Sequence, residues 1–344
     1  MKKNLLFSSG ISLFGMLIIA CSSEPKPENR TASGDVVLGG EIFFSGKPYT
    51  SILPSVINDL ASAQAASNVL EGLTRIAADG KVVPALAESF ETDSSRSVYK
   101  FTLKKGVKFH DDACFSGGEG REFNAEDVKF SFEQLCTNKP SNVAFASTLK
   151  NVLLGAEDFY AGKSKELSGI QVIDEHSVLI KTLGQNDALP VLLAGIQLSI
   201  VPKEAVERYG EKAAIGTGPF SIKISDGAYK LVRNPAYYGK DAMGNQLPYL
   251  DQVSVKQVEA KTTEIEQVLK GELDVVVGLT SQVANQVVQE HLKDFEANGK
   301  YVMESSDEVA ASDVFIIRNA QLKGFKLNAD GTINWAIVQK LAAH

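Results

Sequence analysis

The stretch from Val253 to Val277 constrains the fold more than any other. Val253 to Val258 alternates apolar and polar residues as a strand does, and Thr262 to Lys270 carries helix formers. Gly271-Glu272-Leu273-Asp274 then leads back into an apolar strand, Val275 to Val277. Strand, helix and strand in that order predict an α/β unit, with the helix covering a sheet that holds both strands. Other stretches add sheet and helix around it. Asp35 to Phe44 is β-rich and predicts a first strand, and Ser97 to Leu103 alternates strongly, with an extended partner in Glu88 to Thr92. Ile170 to Thr182 reads as a hairpin turning at Asp174-Glu175-His176, and Gly216-Thr217-Gly218-Pro219 is a rigid turn into two extended stretches, Phe220 to Ile224 and Tyr229 to Arg233. Ala61 to Leu73 predicts a helix with Gly72 as its stop. A second helix starts at Asn124, a good N-cap, with acids in its first turn and Val128, Phe132 and Leu135 on its apolar face. Ala78-Asp79-Gly80-Lys81 is a turn, and there is no internal repeat.

The first residues read as an address and not as fold. Lys2 and Lys3 precede an apolar run from Leu5 to Ala20 that ends in Ile18-Ile19-Ala20-Cys21. A positive start, a short apolar core and a small residue before the cut make a secretory signal, 1–20, too short for a membrane-spanning helix. The Ala-Cys ending resembles a bacterial lipobox, which implies cleavage before Cys21 and lipid on that residue. The alternative is an ordinary signal with an incidental cysteine. Ser22 to Gly34 is polar with two prolines and reads as a flexible tether.

Composition narrows the chemistry. The 344 residues are 44% hydrophobic and 22% charged, enough for two lobes with a core and against wholesale disorder. A net charge of −7 without a Lys/Arg stripe argues against a nucleic-acid partner. Three cysteines and four histidines, scattered, leave little for a structural metal site, and no cofactor is expected. His110-Asp111-Asp112 reads as a polar turn closing a strand. Gly117 to Gly120 lacks the Lys-Ser/Thr of a phosphate loop, Asn328 to Thr332 lacks the alternating acids of a calcium loop, and no serine sits in a nucleophile elbow. Catalysis is not expected.

Four blocks, in order, resemble the extracellular solute-binding proteins of family 5, the peptide, nickel and oligopeptide receptors of ABC importers. They are Asn68 to Glu88; Tyr99 to His110 with Asn124 to Leu135; Gly216 to Phe220 with Arg233 to Tyr238; and Leu269 to Val275. The resemblance spans roughly residues 37–319. It implies a periplasmic binding protein-like class II α/β fold. The first lobe would be discontinuous, 35–70 and 196–305, around an inserted second lobe, 71–195; residues 306–344 would begin a third domain. The chain would be C-terminally truncated relative to the family, since members continue through that domain and back into the first. Taken with the tether and signal, 21–34 and 1–20, it implies a monomeric lipoprotein of the cell envelope, facing the periplasm or the exterior. It would capture a solute, a short peptide first of all, and deliver it to an inner-membrane ABC permease. Ser22 after the lipid cysteine leans toward outer-membrane sorting. A nickel, haem or other non-peptide receptor, or a surface lipoprotein acting in adhesion or as a chaperone, are the alternatives.

For the site, the resemblance places ligand contacts at Asn58, Asp59, Leu60, Ala61 and Ser62, whose backbone could pair with an extended peptide, and at Phe145. The bland readings are an exposed turn and a core aromatic. Cys114, in the long loop Asp111 to Phe123, and Cys136 could pair in an oxidising envelope once Cys21 carries lipid; a bridge there would stabilise by ~3 kcal/mol. Two unpaired thiols are the alternative.

Overall fold

The structure, a computed structural model, describes residues 30–77, 79–225, 228–296, 299–306 and 314–341. The signal segment, Cys21 and the tether up to residue 29 lie outside the described residues.

The chain opens with β1 (Glu41–Ser45) and α1 (Leu60–Val69) and then builds a small body. That body holds β2 (Thr74–Ile76), β3 (Val82–Pro84), β4 (Ala87–Thr92), β5 (Val98–Leu103), α2 (Ala125–Leu135), α3 (Phe145–Thr148), α4 (Ala156–Tyr160), β6 (Ile170–Asp174), β7 (Ser177–Lys181) and α5 (Leu189–Leu192). The chain returns through α6 (Lys203–Tyr209), β8 (Phe220–Ser225), β9 (Ala228–Arg233), β10 (Gln252–Lys256), α7 (Lys261–Leu269) and β11 (Val275–Leu279). It continues with α8 (Ser281–Glu290), α9 (Leu292–Phe295), β12 (Tyr301–Ser306), β13 (Val314–Asn319), β14 (Leu322–Lys323) and β15 (Gln339–Lys340).

Four antiparallel strands in the order β4-β5-β7-β6 form the small sheet. Period-two alternation buries Tyr99, Phe101 and Leu103 of β5 on one face. Against them pack Val128, Phe132 and Leu135, the predicted face of α2. Asn124 starts α2 with a capping box: its side chain accepts from the first turn while the Asp127 carboxylate accepts from the Asn124 N–H.

The large sheet has seven strands in the order β12-β13-β11-β1-β10-β9-β8. At its centre β1 runs parallel to both β10 and β11, and the outer pairings are antiparallel. The predicted unit at 253–277 is β10-α7-β11, and it steps over β1. Ala65, Ala66 and Val69 of α1 cover one face, where Ile42, Phe44, Val253 and Val255 are buried. Ile265 and Val268 of α7 and Ala284 and Val287 of α8 cover Val276 and Ile317 on the other. The result is a three-layer α/β body.

The structure departs from the sequence reading at several places. β1 begins only at Glu41, because Gly39 and Gly40 take positive φ (99° and 87°) and turn the chain along Tyr249 and Asp251. α1 stops at Val69, where Leu70 becomes extended, and not at Gly72. Residues 306–344, expected to open a third domain, have their described part in the large body: β13 pairs with β11 and β12, and Trp335 is fully buried between Phe44 and Phe325, with ring centroids 5.4 and 5.7 Å away. Gln64 and Asn68 of α1 explain the docking. Their amides bond the backbone of Ile333 and Trp335 as a neighbouring strand would, so the segment 333–335 is read by two side chains one helical turn apart. The Cys114–Cys136 bridge is also not made. Both thiols are free. Cys136 is buried in the small core at the end of α2, whereas Cys114 packs where the two cores meet and bonds Asp112. Burial pushes both thiols up to about 12.

Candidate functional site

Two places concentrate unusual chemistry: the junction of the two bodies and the edge of the large sheet where its parallel strands end.

The junction is built on Glu71, just past α1. Its carboxylate is enclosed by protein and accepts three hydroxyl hydrogens, from Thr217 (2.8 Å), Tyr238 (2.8 Å) and Tyr237 (3.2 Å). Burial raises the carboxyl above its ordinary value, while the hydroxyls and the nearby Lys104 ammonium oppose that rise. Beside it runs the turn Gly216 to Pro219. Its glycines are dictated by space: a Cβ on Gly216 would stand 2.3 Å from the Val69 carbonyl oxygen, and one on Gly218 2.7 Å from it. The Gly218 carbonyl accepts from His110 Nε2 (2.8 Å) and Asn234 Nδ2 (3.0 Å). The Gly216 N–H faces His110 Nδ1 at 3.4 Å. An imidazole that donates from Nε2 and accepts at Nδ1 is neutral, and burial holds His110 down to about 4. All polar groups named here are paired with one another, so the junction positions the bodies and offers no free nucleophile or base.

The edge has a different character. Ser45 of β1 lies level with Lys256 of β10, and β11 begins opposite Phe44 and runs on beyond it. From β1 the chain leaves toward α1 on one face. From β10 it leaves toward α7 on the other. Connections that diverge to opposite faces open a crevice outside the carboxyl ends of the strands, the usual ligand position in α/β sheets. The loop from Gly46 onward and the end of β10 flank that edge here. Lys47, Pro48, Thr50 and Lys256 are exposed, and Tyr49 is half-buried, set edge-on against Tyr229 at 5.2 Å. The Lys256 ammonium stands 4.5 Å above the Phe43 ring. The edge thus carries Lys256 over Phe43 on the α7 face and the Tyr49–Tyr229 pair on the α1 face, with Lys47 exposed in the loop between β1 and α1.

The residues named from sequence fall partly here. Asp59 is the N-cap of α1, accepting from the Ser62 N–H at 2.8 Å, and Thr50 Oγ1 donates to it at 3.1 Å. Despite some burial, the Ser62 and Thr50 bonds hold the Asp59 carboxyl below its ordinary range. Asn58 and Leu60 are exposed, Ala61 is half-buried and Ser62 is buried. Thr50 ties this segment to the loop that follows β1. Leu60 to Ser62, however, are the first turn of a helix, with Ala63 N–H bonded to the Asp59 carbonyl. Their backbone is helical and not extended, and their N–H groups lie at the amino end of that helix. Phe145 is only 5% exposed and stacks on Tyr160 at 4.2 Å, the core reading of that residue. Lys47, Tyr49 and Lys256 escaped the sequence reading, although Lys256 closes the very strand that defined the α/β unit.

Two further hollows are present. One of about 380 Å³ lies along α2, and its central Arg121 is already held by Asp127 (2.6 and 2.8 Å) and Glu204 (2.7 and 2.8 Å). The other, about 250 Å³, lies between Leu53–Val56 and Asn142 with Glu211. Among the described residues no three His, Cys, Asp or Glu side chains could hold a metal ion, and no helix is long and apolar enough to cross a membrane.

Comparison with known proteins adds the following. The family model for bacterial extracellular solute-binding proteins, family 5 Middle, matches residues 81–317. The dipeptide-binding protein of Lactococcus lactis is 24% identical over 293 residues, covering 81% of this chain and 48% of that protein. Heme-binding protein A of Haemophilus influenzae is 27% identical over 281 residues, covering 76% and 48%. The ABC transporter-associated periplasmic binding protein DppA from Helicobacter pylori, solved in complex with the peptide STSA, shares the fold with a TM-score of 0.63 at 24% identity, over 78% of this chain and 51% of that one. The chain spans about half the length of the curated relatives it matches.

Proposed function

The chain belongs to the bacterial extracellular solute-binding proteins, family 5, and from that membership we propose that it captures short peptides outside the cytoplasm for an ABC permease. Members of this family are periplasmic or extracellular binding proteins of transport systems and not enzymes. The observation that supports the peptide reading is the carboxyl-end edge of β1 and β10, where Lys47, Thr50 and Lys256 are exposed and Tyr49 is half-buried. Peptides offer the carboxylate, carbonyls and apolar side chains that such a set can meet. Lipid at Cys21 would keep the receptor at the membrane surface, as a monomer. The Asn58–Ser62 segment is tied to the loop after β1 by the Thr50–Asp59 bond and would border a peptide bound there.

The similarity to a haem-binding relative favours a second reading, a flat non-peptide solute on the same edge. Thermal melting of the soluble body against di- to pentapeptide pools, haem and nickel separates the two, because a ligand of the native state raises the midpoint by mass action. A saturable shift with peptides is expected. A shift with haem or nickel and none with peptides sinks the peptide reading.

A further inference from the structure

We propose that Arg30, Ser33 and Asn245 form a latch that fixes where the tether leaves the body and holds the solute edge on the side away from the membrane. This rests on the reading of Cys21 as the lipid anchor.

A polar tether with two prolines is expected to hang free, yet its last part is built into the large body. Arg30 donates from Nη1 to the Pro248 carbonyl (2.7 Å) and from Nη2 to the Tyr249 carbonyl (2.7 Å) and Asp251 Oδ1 (2.8 Å), and its side chain is 10% exposed. A guanidinium that takes two successive carbonyls and a carboxylate uses the fork geometry that a lysine cannot supply. Three residues on, Asn245 grips Ser33 from both sides. Its Oδ1 accepts from the Ser33 N–H (2.7 Å) and its Nδ2 donates to the Ser33 carbonyl (3.0 Å). Asn245 is itself preset by Asp241, which accepts from its Nδ2 (2.7 Å) and its backbone N–H (2.8 Å) as well as from Tyr249 Oη (2.8 Å). The receiving turn therefore stands ready without the tether.

Position gives the latch its meaning. Asp251 directly precedes β10, and its backbone N–H and Oδ2 both bond Gly40, directly before β1. The latch thus sits at the amino ends of the two strands whose carboxyl ends form the candidate edge. One five-residue strand, about 15 Å, separates the two sides. Only residues 22–29 lie between Cys21 and the latch, about 27 Å at full stretch. Latched, the body meets the membrane by the 241–251 side, where Met243 is 64% exposed, and its solute edge faces the solution. Unlatched, residues 22–36 would be free to pay out to about 50 Å, with the chain still held from Val37 onward.

The test uses the full lipidated chain on vesicles carrying a headgroup acceptor dye, in a Cys114→Ser background, with a donor fluorophore at Lys47→Cys or Met243→Cys. Energy transfer is expected to be stronger from 243 than from 47, and Arg30→Ala with Asn245→Ala is expected to erase that difference. Equal transfer from both positions in the latched protein, or a difference that survives the double substitution, overturns the proposal. Failure of the protein to float with the vesicles instead removes the anchor reading and the orientation with it. A second measurement needs no lipid: the Arg30–Thr31 bond of the soluble chain should resist trypsin and become labile in Asn245→Ala. Equal cleavage of both proteins shows that no latch exists.

Discussion

The junction and the edge are both polar, yet they are built on opposite principles. At the junction a carboxylate, three hydroxyls, an imidazole and an amide satisfy one another inside protein, and the glycines of the 216–219 turn leave no room for anything else. At the edge the side chains end in water, and the scaffold is set by backbone register instead. Buried polar groups are costly unless fully paired, so a junction of this kind tolerates few residue types. An exposed edge tolerates many. Recognisable sequence should therefore mark how the bodies are joined, and the solute-facing residues should be free to vary with the solute.

The largest break in that comparison is Glu71→Ala. It removes the acceptor of three hydroxyls at once, that of buried Thr217 and those of half-buried Tyr237 and Tyr238, so a loss of about 1–3 kcal/mol is expected in urea unfolding. Glu71→Gln keeps an acceptor and should lose much less. It also exposes a pH signature. Because burial raises the Glu71 carboxyl in the folded state, the native protein binds a proton more readily than the unfolded chain. Stability from this group is fully present below about 4.5 and is lost as pH rises through the raised folded value. The variant should lack that slope, and an unchanged slope would show that Glu71 is not the group responsible.

Much of this arrangement could be read from residues alone, for the reason the comparison gives. Three of the four blocks that carried the resemblance meet at the junction: Glu71 from the first, His110 from the second, and Thr217, Gly218, Tyr237 and Tyr238 from the third. The α2 cap, the 170–182 hairpin and the β10-α7-β11 unit follow from local periodicity and capping, which a single sequence displays. What a single sequence does not display is the non-local pairing. Nothing near Phe145 announces Tyr160 as its stacking partner, and nothing near Trp335 announces Gln64 and Asn68 on a helix about 270 residues earlier. The described part of the last segment packs in the large core through contacts that its local sequence does not announce. At the edge, Lys256 and Tyr49 carried no motif. Only the general rule about carboxyl ends of parallel strands could have found them.

His110 sharpens the contrast through acid. Its folded value near 4 lies below the ordinary value of 6.5, because burial disfavours the charged ring and its Nδ1 already faces the Gly216 N–H. The unfolded chain then takes up a proton that the native state refuses. Stability contributed by the neutral ring is present above about 6.5 and is lost as pH falls toward 4, by roughly 3 kcal/mol in total. This slope is opposite in sign to that of Glu71. His110→Gln keeps a donor for the Gly218 carbonyl and cannot titrate, so its melting midpoint should fall less between pH 7 and 4 than that of the parent. Equal falls would mean the ring is reached by solvent and the junction is looser than its geometry.

The smallest effect on stability should come from the edge, and that is its diagnostic value. Lys256 contributes one exposed cation over the Phe43 ring, worth about 0.5–1 kcal/mol at such a site. Lys256→Ala should leave the melting midpoint within a degree or two while weakening any ligand whose negative end it meets. Lys256→Met separates the two contributions, since it keeps apolar contact with Phe43 and removes only the charge. If both variants melt like the parent and bind the same solutes with unchanged affinity, the crevice at the carboxyl ends of β1 and β10 is not the solute site. If affinity falls while the junction variants bind normally once folded, joining and recognition are carried by separate residues.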